Sequence, residues 1–84
     1  MEYDTWDIIP CDSDSLFQEG EPVKVTQKHY GHNKVTAYKI EDEHVTVGTM
    51  GVVMGRGLFD FDLWIKTEGG DTILVDGRLL ERVS

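Results

Sequence analysis

His29 and His32 stand three residues apart in a polar stretch, His44 follows and Cys11 is remote, and these are the residue types that bind zinc. A zinc site takes three or four such ligands in fixed geometry, and a His-x-x-His pair without a cysteine pair falls short of that. No metal is expected. Cys11 would need an easily ionised thiol to act as a nucleophile, whereas its neighbours Asp12 and Asp14 push a thiol's pKa upward. The consecutive acids Glu41, Asp42 and Glu43 do not converge on one point and lack the spacing of a calcium loop. Gly55, Arg56 and Gly57 lack the lysine and the following helix of a phosphate loop. With no nucleophile beside a base, neither catalysis nor a cofactor is expected.

Recognition chemistry is better represented. In Phe61 to Lys66 the alternation places Phe61, Leu63 and Ile65 on one face and Asp62, Trp64 and Lys66 on the other. If the first set fills the core, Trp64 faces outward, where Tyr30, Tyr38 or Phe59 could join it as binding anchors. The competing use of this patch is internal, because Trp6 or Phe17 of the N-terminal segment could cover it.

Charge is the second resource. The formal charge of −8 is concentrated in residues 1–22, where Glu2, Asp4, Asp7, Asp12, Asp14, Glu19 and Glu21 occur without a single Lys or Arg. From Val23 onward, nine acids face eight bases. Direct nucleic-acid binding is not expected of such a chain, since that affinity rests on Lys and Arg displacing counterions. Asp4, Asp7, Asp12 and Asp14 could instead imitate a phosphate backbone.

The elements that must carry these side chains read as strands. Eighty-four residues fit one domain with a small core, and a single cysteine excludes an internal disulfide. No stretch approaches the roughly 18 apolar residues of a membrane span, and acids occupy the start where a signal peptide would be basic. A cytoplasmic protein without membrane contact is expected. The candidate core is rich in β-branched residues, namely Val23, Val25, Val35, Ile40, Val45, Val47, Val52, Val53, Leu63, Ile65, Ile73, Val75 and Val83.

Residues 1–22 have no period but hold Trp6, Ile8, Ile9, Leu16 and Phe17, too many large apolar groups for a solvated tail. Val23 to Lys28 alternates as a first strand, and His29 to Lys34 reads as a polar loop. Val35 to Ile40 belongs to a long arm with a charged tip at Glu41 to Glu43, and His44 to Val47 returns as a short strand. Gly48 and Gly51 suggest a bend or a close backbone approach in the second main strand. Gly69 and Gly70 mark a hairpin, Thr72 to Val75 is the next strand, and Arg78 to Val83 has room for one helical turn and a last strand.

This order, with Gly48, Thr49, Gly51 and Val53 in one strand and Leu80, Glu81 and Val83 at the end, resembles the SH3-like barrel superfold. That group includes small accessory subunits of photosynthetic electron-transfer complexes and the KOW-type domains of transcription and translation factors. The resemblance covers about residues 20–84 and implies an all-β, five-stranded SH3-like barrel over 23–84 with an acidic N-terminal extension over 1–22. The tyrosine-rich arm and paired tryptophans of peptide-binding signalling SH3 domains are not evident, so proline-rich ligands are not implied. A basic face for acidic ferredoxins is missing too.

The expected function is therefore a non-catalytic protein-binding module, an accessory or regulatory protein docking on a larger protein or complex through exposed aromatics. The rival is an acidic inhibitor of phage type that mimics nucleic acid in a basic cleft.

Overall fold

The computed structural model describes residues 2–83. Seven strands follow one another: β1 (Pro22–Val25), β2 (His29–Thr36), β3 (Lys39–Val45), β4 (Met50–Arg56), β5 (Asp62–Thr67), β6 (Thr72–Asp76) and β7 (Leu80–Arg82). A 3-10 turn, Gly77–Leu79, precedes β7. All pairings are antiparallel, in the order β3-β2-β6-β5-β4-β1-β7. No helix among the described residues is long and apolar enough to cross a membrane.

One face of this sheet carries the main core: Val23 and Val25 of β1, Val45 of β3, Val53 of β4, Leu63 and Ile65 of β5, Ile73 and Val75 of β6, and Leu80 of β7. Phe17 of the N-terminal segment joins them, so that segment contributes to the core. Chain reversals use the expected chemistry where the backbone demands it. Gly70, at φ +90°, closes the β5–β6 hairpin with its N–H donating to the Thr67 carbonyl at 2.9 Å. Gly51 has a different role: a Cβ there would lie 2.7 Å from the Lys66 carbonyl oxygen, so β4 meets β5 too closely for any side chain.

The sheet differs from the expected five-stranded barrel in two ways. It has seven strands, and its hydrogen-bonded ladder runs from β3 to β7 without closing between them. The additional strands are β2 and β3, a long hairpin in place of the expected loop at His29 to Lys34. Glu41 to Glu43 lie within β3, and the hairpin turns instead at Ala37 and Tyr38, between the paired Thr36 and Lys39. Much of this arm is solvated on both faces, so its polar side chains carry no period that would mark it as strand. Val35, Val47 and Val52, expected in the core, are exposed.

Strand β5 brings the largest correction. Leu63 and Ile65 face the core as expected, but Phe61 is 47% exposed in a left-handed backbone at φ 70°, while Trp64 is completely buried. Trp64 does lie on the face opposite Leu63 and Ile65. That face is covered by the N-terminal segment.

Candidate binding site

The cover over Trp64 is held by backbone groups and not by the acids that dominate its composition. The Trp64 indole N–H donates to the Asp7 carbonyl at 3.0 Å, and Lys34 Nζ donates to the Trp6 carbonyl at 2.7 Å while lying 5.6 Å from the Trp64 ring centre. Ile9 pairs with Arg56 of β4, exchanging hydrogen bonds of 2.9 and 2.7 Å. This pairing depends on Gly55, where a Cβ would lie 2.6 Å from the Ile9 carbonyl oxygen. Ile9, Trp64 and Leu74, the last directly opposite Trp64 across β5 and β6, are thereby buried away from the main core. Burial removes Trp64 from the set of available anchors.

Some acids of the segment serve its own turns. Asp7 accepts from the Asp4 N–H at 2.8 Å, and Asp12 accepts from the Asp14 N–H at 3.0 Å and from the Ser15 hydroxyl at 3.2 Å. Asp12 also lies 3.5 Å from Arg56 Nε. Cys11 is half-buried, and burial first, then Glu19, pushes its thiol pKa up. That thiol is held protonated, the opposite of what a nucleophile requires.

Two depressions flank the β4–β5 loop. One encloses about 330 Å³ between the base of the β2–β3 arm, the N-terminal segment and the loop, and is lined by Trp6, His29, Tyr30, His32, Phe59, Asp62 and Asp76 together with Thr5, Leu74, Val75 and Leu79. Three of the aromatic candidates, Trp6, Tyr30 and Phe59, thus meet in one cleft. Tyr30 and Phe59 are 71% and 60% exposed. Trp6 packs against His32 with ring centres 4.9 Å apart and planes tilted by 59°, and Tyr30 against His44 at 4.1 Å and 37°. Tyr38 stands apart, 98% exposed at the turn of the arm.

The second depression encloses about 410 Å³ and gathers Asp12, Asp14, Asp60 and Asp62 around Arg56, Phe59 and Phe61. Asp4 and Asp7 are not part of it. Asp62 and Phe59 line both depressions and form the ridge between them.

The polar groups of the first cleft are arranged in a definite way. His29 Nδ1 lies 2.8 Å from the Gln27 carbonyl and must donate to it, which leaves Nε2 to accept from the Asp76 N–H at 3.3 Å. His32 Nδ1 contacts Asp42 at 2.8 Å. Among the described residues no three His, Cys, Asp or Glu side chains converge as metal ligands. Asp76 grips Arg78 through both carboxylate oxygens, and that hydrogen-bonded guanidinium holds its pKa below the usual carboxylate range. Asp62, directly opposite Asp76 across β5 and β6, is pushed the other way, first by burial and then by the Asp76 charge.

His29, His32, Asp62 and Asp76 were not expected in a binding cleft. His29 and His32 did stand out at i, i+3, but the partner acids lie in strands far along the chain, and only register brings them together. No family model, no curated protein and no solved structure matches this chain.

Proposed function

We propose that this protein is a non-catalytic protein-binding module, an accessory or regulatory chain that docks on a larger protein through the cleft between the β2–β3 arm and the β4–β5 loop. The observation that carries this reading is the convergence of Trp6, Tyr30 and Phe59, exposed on three separate parts of the chain, around one cavity edged by carboxylates. Aromatic side chains left partly in water cost solvation unless something covers them, and such residues dominate protein interfaces. The element order is in keeping with the SH3-like resemblance, though the sheet stays open: a first strand, a long arm, a three-strand meander, a 3-10 turn and a last strand returning to β1.

A second reading is favoured by one feature. Asp12, Asp14, Asp60 and Asp62 surround the other depression, as an acidic inhibitor that imitates nucleic acid would require.

A photo-crosslinking residue at Tyr30, which lines the first cleft and not the second, and, in separate proteins, at Asp14 and Val47 separates these readings in the native host. The module reading expects one protein trapped from Tyr30 and none from Val47, unaffected by added DNA. Trapping from Asp14 alone, abolished by DNA, would replace it with the inhibitor reading.

A further inference from the structure

We infer that the aromatic cleft receives an arginine side chain of the partner protein, its guanidinium placed between Asp62 and the rings of Phe59, Tyr30 and Trp6. This rests on the module reading above and names the chemistry of its partner.

The molecule builds the same three-part arrangement twice from its own residues. Arg78 bonds Asp76 at 3.1 and 2.8 Å and lies 4.6 Å from the ring centre of Phe61. Arg82 bonds Glu21 at 3.0 Å and lies 5.0 Å from the ring centre of Phe17. In each, one guanidinium satisfies a carboxylate with its edge and an aromatic ring with its face, a combination that the planar, weakly hydrated arginine head group permits and the lysine ammonium does not.

Asp62 lines the same cleft as the rings of Phe59, Tyr30 and Trp6, the makings of a third such set without its guanidinium. Among the described residues its side chain makes no hydrogen bond and no ion pair, although it is half-buried and faces Asp76 across the ladder. Directly opposed like charges disfavour each other, and a carboxylate drawn out of water without a partner is held away from its charged form. Arg78 is already engaged by Asp76, and both ring nitrogens of His29 are used by backbone groups. His32, which lines the cleft, is turned by its Nδ1 toward Asp42, so that it and Arg78 act on Asp62 only through space and less strongly than burial and Asp76. An incoming guanidinium would offset both the desolvation and the Asp76 repulsion, and the net charge of −8 would draw it in.

The test is an NMR titration of the full isotope-labelled chain with the capped peptide acetyl-Gly-Arg-Gly-amide, and with versions carrying lysine, citrulline or norleucine in place of the arginine. The arginine peptide should shift the Trp6 indole and the Tyr30 and Asp62 amides saturably, and bind at least about tenfold more tightly than the uncharged citrulline peptide. Asp62→Asn should remove that preference, and Phe59→Ala, in an exposed loop, should weaken the arginine peptide without altering the rest of the spectrum. Equal binding of the norleucine or citrulline peptide would show an apolar cleft and overturn the inference, as would saturable shifts confined to Asp12, Asp14 and Asp60, or none. Lysine binding as tightly as arginine would refute the guanidinium assignment. If Tyr30 crosslinks trap a protein while the arginine peptide fails, the arginine inference falls and the module reading stands. If the peptide binds and Tyr30 traps nothing, the module reading falls.

Discussion

Asp62 and Asp76 sit opposite one another, yet their environments move them in opposite directions, and this has a consequence for stability. For Asp76 the folded value is depressed by Arg78, so its contribution is present above the ordinary carboxylate pKa and is lost as pH falls through the folded value. For Asp62 the folded value is raised by burial and by Asp76, so at neutral pH its ionised form destabilises the fold. As pH falls through that raised value, the folded protein takes up the proton before the unfolded chain does, and this group's contribution improves. Asp62→Asn should therefore raise the melting temperature at neutral pH, with the advantage shrinking on acidification and vanishing once wild-type Asp62 is protonated. Thermal melts of both proteins across that range check it, and an Asp62→Asn protein less stable at neutral pH would show that the carboxylate has an internal partner.

The N-terminal segment behaves as an eighth piece of the sheet, although it forms only an isolated bridge. Its seat is cut by Gly55, which lies beneath the Ile9 carbonyl, and by Trp64, which reaches up to the Asp7 carbonyl. Gly55→Val should expel the segment from β4, because the added side chain occupies the space of backbone that cannot yield. The expected readout is a red shift of tryptophan fluorescence as Trp64 meets water, together with a lower melting temperature. Trp64→Ala should cost about 3–5 kcal/mol in denaturant unfolding, the usual loss for a large buried aromatic. A Trp64→Ala protein of wild-type stability, or an unshifted Gly55→Val spectrum, would contradict this account of the covered face.

At the level of the whole molecule, the excess of acids acts at long range while the cleft acts at contact. Asp7 and Asp12 use their side chains as acceptors in local turns, a task an asparagine carbonyl can also perform. Changing Asp4, Asp7, Asp12 and Asp14 together to Asn should therefore leave the fold intact and remove much of the steering field. Once the partner is in hand, the variant should associate more slowly, with a shallower dependence of that rate on salt, and dissociate at nearly the wild-type rate. A large rise in the dissociation rate would place those carboxylates in the interface and favour the inhibitor reading.

The sequence by itself determined the all-β class, the glycine-closed hairpin at Gly69 and Gly70, the close approach at Gly51 and the final turn and strand, because each depends on residues near one another in the chain. It also pointed to Trp6, Ile8 or Ile9, and Leu16 and Phe17 as groups needing cover in an acidic segment, of which Ile9 and Phe17 are buried while Trp6, Ile8 and Leu16 stay exposed. Only the tertiary structure decided what that segment covers. Alternation in β5 separates Trp64 from Leu63 and Ile65, but whether its face meets water or protein depends on a bridge between Ile9 and Arg56 that no local pattern encodes. The hairpin β2–β3 was hidden for the related reason that strands solvated on both faces carry no hydrophobic period. The cleft was hidden most deeply: Trp6, Tyr30, Phe59, Asp62 and Asp76 are spread along the chain, and only strand register together with the docking of the N-terminal segment and the course of the β4–β5 loop sets an acid without a partner beside three exposed rings.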